Sequence, residues 1–243
     1  LHQLLLDEVA DDDWSTQYRA VESARQLCVH HPDALTPPPL PSGAVLPVVL
    51  DSAVSLRSAV ARNGLFCLAD MFSHLKERMQ EHLDTTIKTL LTRACNDKRF
   101  IRDAAQKALR HMAANLPTEG TLMALLAFSG SRNAKLSDQS ATFAVSTLVT
   151  MGDAARDCDL DAILRATAQY NSGKGAQSRA ASKRIMQHLK SLLGMEALEK
   201  SIRDLLPKLD AETLIRKANE APRPASSSSS GFRAQIRAAR RVR

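Results

Sequence analysis

A pattern that returns about every 40 residues limits what this chain can fold into more than any other feature does. Five segments each place a short polar stretch before a long amphipathic run with small residues near its start. They open at Tyr18, Leu56, Ile101, Ser137 and Gln177; with Ala20, Ala59, Ala104, Ala141 and Ala180 as markers, the intervals are 39, 45, 37 and 39 residues. Repeats of that length are pairs of antiparallel helices of the HEAT type, each burying its apolar stripe against its neighbours. The stripes are visible: Ile101, Ala105, Ala108, Leu109 and Met112 share one helical face, as do Ala181, Ile185, Leu189 and Leu192. Gly194 then supplies a helix stop, and Pro117 is expected to open a helix running to Phe128. No stretch alternates with a period of two, so no sheet is expected. Composition agrees, with aromatic residues at 4% and hydrophobic residues at 44%, rich in Ala and Leu.

The expected fold is therefore all-α, an α-solenoid of about six HEAT-like helical hairpins. They are placed at 1–31, 43–74, 79–115, 118–152, 158–193 and 195–219, with the proline-rich stretch 32–42 (Pro37 to Pro41) as a spacer. Beyond them come Pro222, Pro224, five serines from Ser226 to Ser230 and a basic end at Arg240, Arg241 and Arg243. That composition does not pack a core by itself. The division expected is residues 1–219 as one HEAT-repeat domain and 220–243 as a Ser/Pro-rich linker and basic C-terminal tail. Because the chain opens on Leu1 instead of Met, it reads as a segment of a longer protein.

Charge is unevenly spread. The total is +7, yet residues 216–243 alone hold eight Lys/Arg against one acid, leaving residues 1–215 neutral. Within that body, residues 1–52 carry two arginines against eight acids, so residues 53–215 are basic. No apolar run reaches the roughly 18 to 20 residues of a membrane helix, and the start lacks the layout of a secretory signal. Cys28, Cys67, Cys95 and Cys158 lie far apart within helical patterns, which reads as buried reduced thiols of an intracellular protein.

Enzymatic motifs are lacking. Lys174 between Gly173 and Gly175 has Ala168 where a phosphate loop requires glycine, and no strand precedes it. No serine sits in a nucleophile elbow. Asp157, Asp159 and Asp161 suit helix capping better than metal ligation, and His30 and His31 suit a helix end before Pro32. The chain is read as a binding scaffold with no catalytic residue, metal or cofactor.

Stacked hairpins align their internal turns along one edge. Those turns are expected at Asp11 to Trp14, Ala53 to Leu56, Asn96 to Phe100, Ser129 to Lys135 and Tyr170 to Gly175. Lys98, Arg99, Arg132, Lys135 and Lys174 would then form a basic row, with the sole tryptophan in the first turn. A neutral body with cations along one edge points to an acidic protein surface as partner.

On these residues the chain resembles the TOG domain family of microtubule regulators, and most of all the TOG domains of crescerins, the TOG array regulators of axonemal microtubules. The resemblance spans most of residues 10–193. It lies in Asp13-Trp14 opening a long helix, in Leu56-Arg-Ser-Ala-Val-Ala-Arg with Leu68-Ala-Asp-Met-Phe72, and in Asn96-Asp-Lys-Arg-Phe-Ile-Arg-Asp-Ala with Ala108-Leu-Arg-His-Met. It implies a TOG-type paddle whose turns bind tubulin, and a place in the cytoskeleton, in the axoneme of a cilium or flagellum. By position, Trp14 would be the apolar anchor, and Arg57, Lys98 and Arg99 the contacts of the second and third turns. Asn133 and Lys135 would serve the fourth turn and Lys174 the fifth. Gln17, Ser137 and Ser172 depart from the family pattern, as do the three aspartates of the first turn.

Plainer readings stand beside these. Trp14 could close the core of the first repeat, Arg57 and Arg102 could bond neighbouring acids, and the loop cations could be solvated charges. The basic tail has three readings: a solubilising extension, an attachment to the microtubule lattice or other axonemal proteins, or a nucleic-acid arm. The second is preferred, since Phe232 is the tail's only aromatic. The expected partner is tubulin or the microtubule lattice, with neither nucleic acid nor membrane. The rivals are a generic HEAT adaptor holding a helical peptide of a large assembly, and a nucleic-acid-binding solenoid.

Overall fold

A computed structural model describes residues 13–35 and 42–220. Eleven α-helices and no strand occur among them. They are α1 (Trp14–His30), α2 (Ser42–Val54), α3 (Ser58–His74), α4 (Leu83–Ala94), α5 (Arg99–Asn115), α6 (Glu119–Leu126), α7 (Ala134–Met151), α8 (Leu160–Ser172), α9 (Ala176–Leu193), α10 (Met195–Leu205) and α11 (Lys208–Asn219). Short 3₁₀ turns at Pro32–Leu35, Lys76–His82 and Gly152–Asp157 link successive pairs. Five hairpins, α2/α3 to α10/α11, match the expected pairs, and α1 is the second helix of the first. Its expected first helix, the first turn at Asp11 and Asp12, residues 36–41 and the tail lie outside the described residues.

The helices start where local chemistry satisfies their free N–H groups. Asp13 accepts from the Ser15 backbone and hydroxyl, and those hydrogen bonds hold its carboxyl below the usual carboxylate range. Thr118 caps α6 (3.2 Å to Thr121 N), Asn133 caps α7 and Asp159 caps α8 (2.9 Å to Ala162 N). The helix expected from Pro117 therefore opens two residues later, with the proline just outside the cap. Gly194 ends α9 at φ +81°, as its glycine signalled. The spacer expected at 32–42 begins instead as a 3₁₀ turn that buries Leu35.

Second helix packs on second helix along the solenoid: α1 on α3, α3 on α5, α5 on α7, α7 on α9 and α9 on α11. One continuous core runs between the layers, from Val21 and Cys28 through Phe72, Leu109 and Phe143 to Leu214. Hydrogen bonds between neighbouring repeats carry the repeat length: Asn63 to Tyr18 O (3.1 Å, 45 residues apart), Ser129 to Gln169 (2.5 Å, 40 apart) and Asp159 N to Glu119 (2.8 Å, 40 apart). The alanine markers were misplaced within that period. Ala20, Ala104 and Ala141 are buried, whereas Ala59 and Ala180 face solvent and Ala61 and Ala181 take the inward positions.

Cys28, Cys67 and Cys158 are buried free thiols and Cys95 is half-buried, which corrects the expectation for that one. Burial pushes the Cys28 thiol up to about 12 and Cys67 also well above its ordinary value, so both stay protonated. Close approach of α2 and α3 needs Gly64, where an added Cβ would lie 2.6 Å from Ala53 N and 3.0 Å from its Cα. Backbone cannot give way as a side-chain tip can. Gly64→Ala should therefore destabilise the domain by about 1–3 kcal/mol in urea unfolding; an unchanged midpoint would contradict this packing.

Candidate functional site

Parallel stacking brings the N-termini of α1, α3, α5, α7 and α9 to one edge, each just after its pair's internal turn. Contacts join neighbouring turns one to the next. The Arg57 guanidinium lies over the Trp14 ring, 5.5 Å from its centroid. Lys98 Nζ donates to Ser58 Oγ at 2.7 Å, and Lys135 Nζ stands 4.0 Å from Asp97 Oδ1. Asp138 then accepts from the Ser178 backbone N–H at 2.7 Å and from its hydroxyl. A Cβ at position 175 would collide with the Asp138 carboxylate, which explains Gly175.

The predicted residues share this edge but differ in what occupies them. Trp14 is 42% exposed, so it does not close the core. Arg57 and Lys98 are N-cap residues that make no side-chain capping bond, and Arg99 opens α5 and pairs with Asp103 at 3.5 Å. Asn133 is largely structural, because its Oδ1 accepts from Lys135 N and Leu136 N. Lys174 is exposed in the fifth turn. The second, third and fifth turns are tighter than expected, spanning 55–57, 95–98 and 173–175, and the fourth keeps its length but lies two residues earlier, at 127–133. Arg99, Phe100 and Lys135 therefore belong to the first turns of helices.

Arg102 is structural, though through different acceptors from those expected. It donates to the carbonyls of Asn96 (2.9 Å) and Asp97 (3.0 Å), and not to neighbouring acids. Arg179, which sequence reasoning missed, does the same in the fifth repeat, reaching Gly173 O and Lys174 O at 2.9 and 3.0 Å. Both arginines stand four residues after an N-cap. At the same place in the fourth repeat, Ser137 donates to Ser129 O at 3.3 Å and so performs a shorter version of the clamp.

Apolar exposure also gathers here. Val54, Leu56 (98% exposed), Phe100 (44%) and Leu209 (77%) border the turns together with Trp14. Sequence reading named Leu56 and Phe100 only as turn residues. The available signal was an apolar side chain inside a turn too short to reach the core.

Electrostatics set the edge apart. A helix N-terminus is the positive end of its dipole and normally attracts Asp or Glu. Four first helices follow that rule, with Asp84 in α4, Glu119 in α6, Asp161 in α8 and Glu196 in α10 in first turns, whereas α2 has no acid there. On the turn edge, α1, α3, α5, α7 and α9 carry no acid in their first turns, although Asp13 caps α1 and the last second helix, α11, carries Asp210. Arg57 and Lys98 stand at the N-caps of α3 and α5, and Arg99 and Lys135 in the first turns of α5 and α7. Cations and dipoles thus add to one positive rim.

Paired helices stacked in one direction around a shared core define a HEAT-type repeat protein with a basic, partly apolar turn edge. The chain belongs to the CLASP N-terminal family, whose model matches residues 1–170. It is similar to the human TOG array regulator of axonemal microtubules protein 1, with 33% identity over 118 residues, or 49% of this chain and 7% of that protein. The chain thus spans a small fraction of that relative's length. Among solved structures it is similar to a CEP104 TOG domain (TM-score 0.65, 16% identity, covering 89% of this chain and 91% of that one). It is also similar to a structure from crescerin, which uses a TOG domain array to regulate microtubules in the primary cilium (TM-score 0.63, 18% identity, 86% and 88% covered). The all-helical TOG-type architecture expected from the sequence is the fold found.

Trp14 is the only tryptophan, so its fluorescence reports on this edge alone. Arg57→Ala should raise acrylamide quenching of that fluorescence and lower stability by about 0.5–1 kcal/mol, the usual range for an exposed cation–π pair. Equal quenching in both proteins would show that the guanidinium does not cover the ring.

Proposed function

We propose that this domain is a non-enzymatic tubulin-binding module that meets tubulin, free or in the microtubule lattice, through its turn edge. The observation that carries the reading is the positive stretch of rim at α3, α5 and α7, where cations replace the acids that helix N-termini ordinarily attract. An acidic protein surface would repay that local cost. Family membership and the relatives' connection with microtubules support tubulin as that surface. The similarity to the human axonemal regulator supports the cytoskeleton, and specifically the ciliary or flagellar axoneme, as the place of action.

In this reading Trp14 fills an apolar depression on the partner, with Leu56 and Phe100 extending the dry contact beside it. Arg57, Lys98, Arg99, Lys135 and Lys174 fix orientation through charge, and Asn133 acts mainly by holding the fourth turn in shape. No bond is made or broken. Residues 1–219 act as the folded unit, and the basic segment 220–243 adds electrostatic attachment to the lattice or to other axonemal proteins. The departures from the TOG pattern at Gln17 and Ser172 and the aspartates of the first turn weaken the match at those turns, so affinity for free tubulin is expected to be low.

Microtubule co-sedimentation together with gel filtration against free tubulin tests the proposal. Trp14→Ala should weaken binding by about 30-fold, corresponding to roughly 2 kcal/mol for an interface hot spot. Lys98→Glu/Arg99→Glu should slow association and flatten its salt dependence. Unchanged binding in both variants would reject the turn edge as the contact surface.

A further inference from the structure

A second concentration of positive charge lies away from the turns, on the outer surface of the second helices. Phe66, half-buried on α3, has three cations over its ring: Arg62 one turn before it at 5.0 Å, Lys107 of α5 at 5.2 Å and Arg25 of α1 at 5.7 Å from the centroid. Cation–π contacts of this kind occur about once in 70–80 residues, so three on one ring call for a reason.

Only Arg25 is structural. It pairs with Asp70 at 2.9 Å and Glu22 at 2.8 Å and donates to Asn63 Oδ1 at 3.1 Å, tying α1 to α3. Those two acids are thereby engaged. Arg62 and Lys107 form no ion pair among the described residues. Half-buried Arg110, three residues beyond Lys107, has Asp103 as its nearby acid, and Asp103 already pairs with Arg99 at 3.5 Å. Two cations held by a ring and lacking carboxylates repel each other until a partner supplies negative charge.

We propose that the surface around Phe66, Arg62 and Lys107 is a second binding site, for an acidic segment of a partner protein. Glutamate or aspartate side chains would pair with Arg62 and Lys107, and the ring would floor the site for the segment's apolar atoms. Phe66 follows the Arg57 cap by nine residues, or about 14 Å of helix. A partner on the turn edge therefore leaves this site open, and one domain could hold both. The cluster is compact, and the next second helix, α7, carries a single basic residue, Lys135, in its first turn. A nucleic-acid backbone needs a longer run of cations to neutralise successive phosphates. The observations favour a short acidic peptide over a phosphate track.

The test uses the whole 243-residue chain and a fluorescent deca-glutamate peptide bearing a benzophenone group, and it does not involve tubulin. Photo-cross-links should map to α3 and α5, and Arg62→Glu/Lys107→Glu should abolish them. The milder Arg62→Gln/Lys107→Gln should reduce them at least fivefold, which keeps the test valid if charge reversal unfolds the protein. The turn-edge variant Lys98→Glu/Arg99→Glu should keep the α3 and α5 cross-links within twofold. Cross-links confined to residues 221–243 or to the turns would overturn the proposal, as would persistence in both cluster variants. Preferential cross-linking of a benzophenone-labelled deca-thymidylate at α3 and α5 would overturn it in favour of nucleic acid.

Discussion

Everything in this structure depends on one register: the second helices of successive pairs lie side by side and point the same way. Apolar burial drives that stacking, because each pair exposes a stripe that only the next pair can cover. Burial alone would allow helices to slide by a turn. The polar contacts between repeats fix the alignment, from Asn63 on Tyr18 O to Asp138 on Ser178 and Glu119 on Asp159 N. Each joins residues about one repeat apart, so the periodicity of the sequence becomes the geometry of the edge.

From that register the rest follows. Helices aligned in parallel present their N-termini together, and five dipoles add at one rim. At α3, α5 and α7 the chain places cations where local stability would favour acids, while α4, α6, α8 and α10, ending at that rim, keep acids at their own starts on the far side. Such a departure from local preference costs some helix stability at those starts. Arg102 and Arg179 limit the cost by holding carbonyls of the third and fifth turns. Trp14 lies under the Arg57 guanidinium and stays exposed on this edge.

Much of this was legible in the sequence. The 40-residue period specified the hairpins, Gly194 marked a stop, and Asp159 was recognisable as a cap. The rim also emerged, since Trp14, Arg57, Lys98, Arg99, Lys135 and Lys174 do share an edge. What escaped were features that depend on exact rotation about a helix axis. Ala59 and Ala180 missed the core because a shift of one residue turns a side chain by about 100°. The roles of Asn133, Arg102 and Arg179 required knowing which carbonyls a tight turn leaves unpaired. The Phe66 cluster could not be seen at all, because Arg25, Phe66 and Lys107 meet only after three repeats have stacked.

The central claim, that a partner meets the rim of turns, can be examined by site-specific photo-cross-linking. Leu56 is 98% exposed in the second turn, and Val149, 50% exposed near the end of α7, lies toward the opposite edge. Either position accepts p-benzoylphenylalanine without disturbing the core. With tubulin present, the probe at position 56 should cross-link and the probe at 149 should not. Cross-linking from 149 with none from 56 would contradict the account.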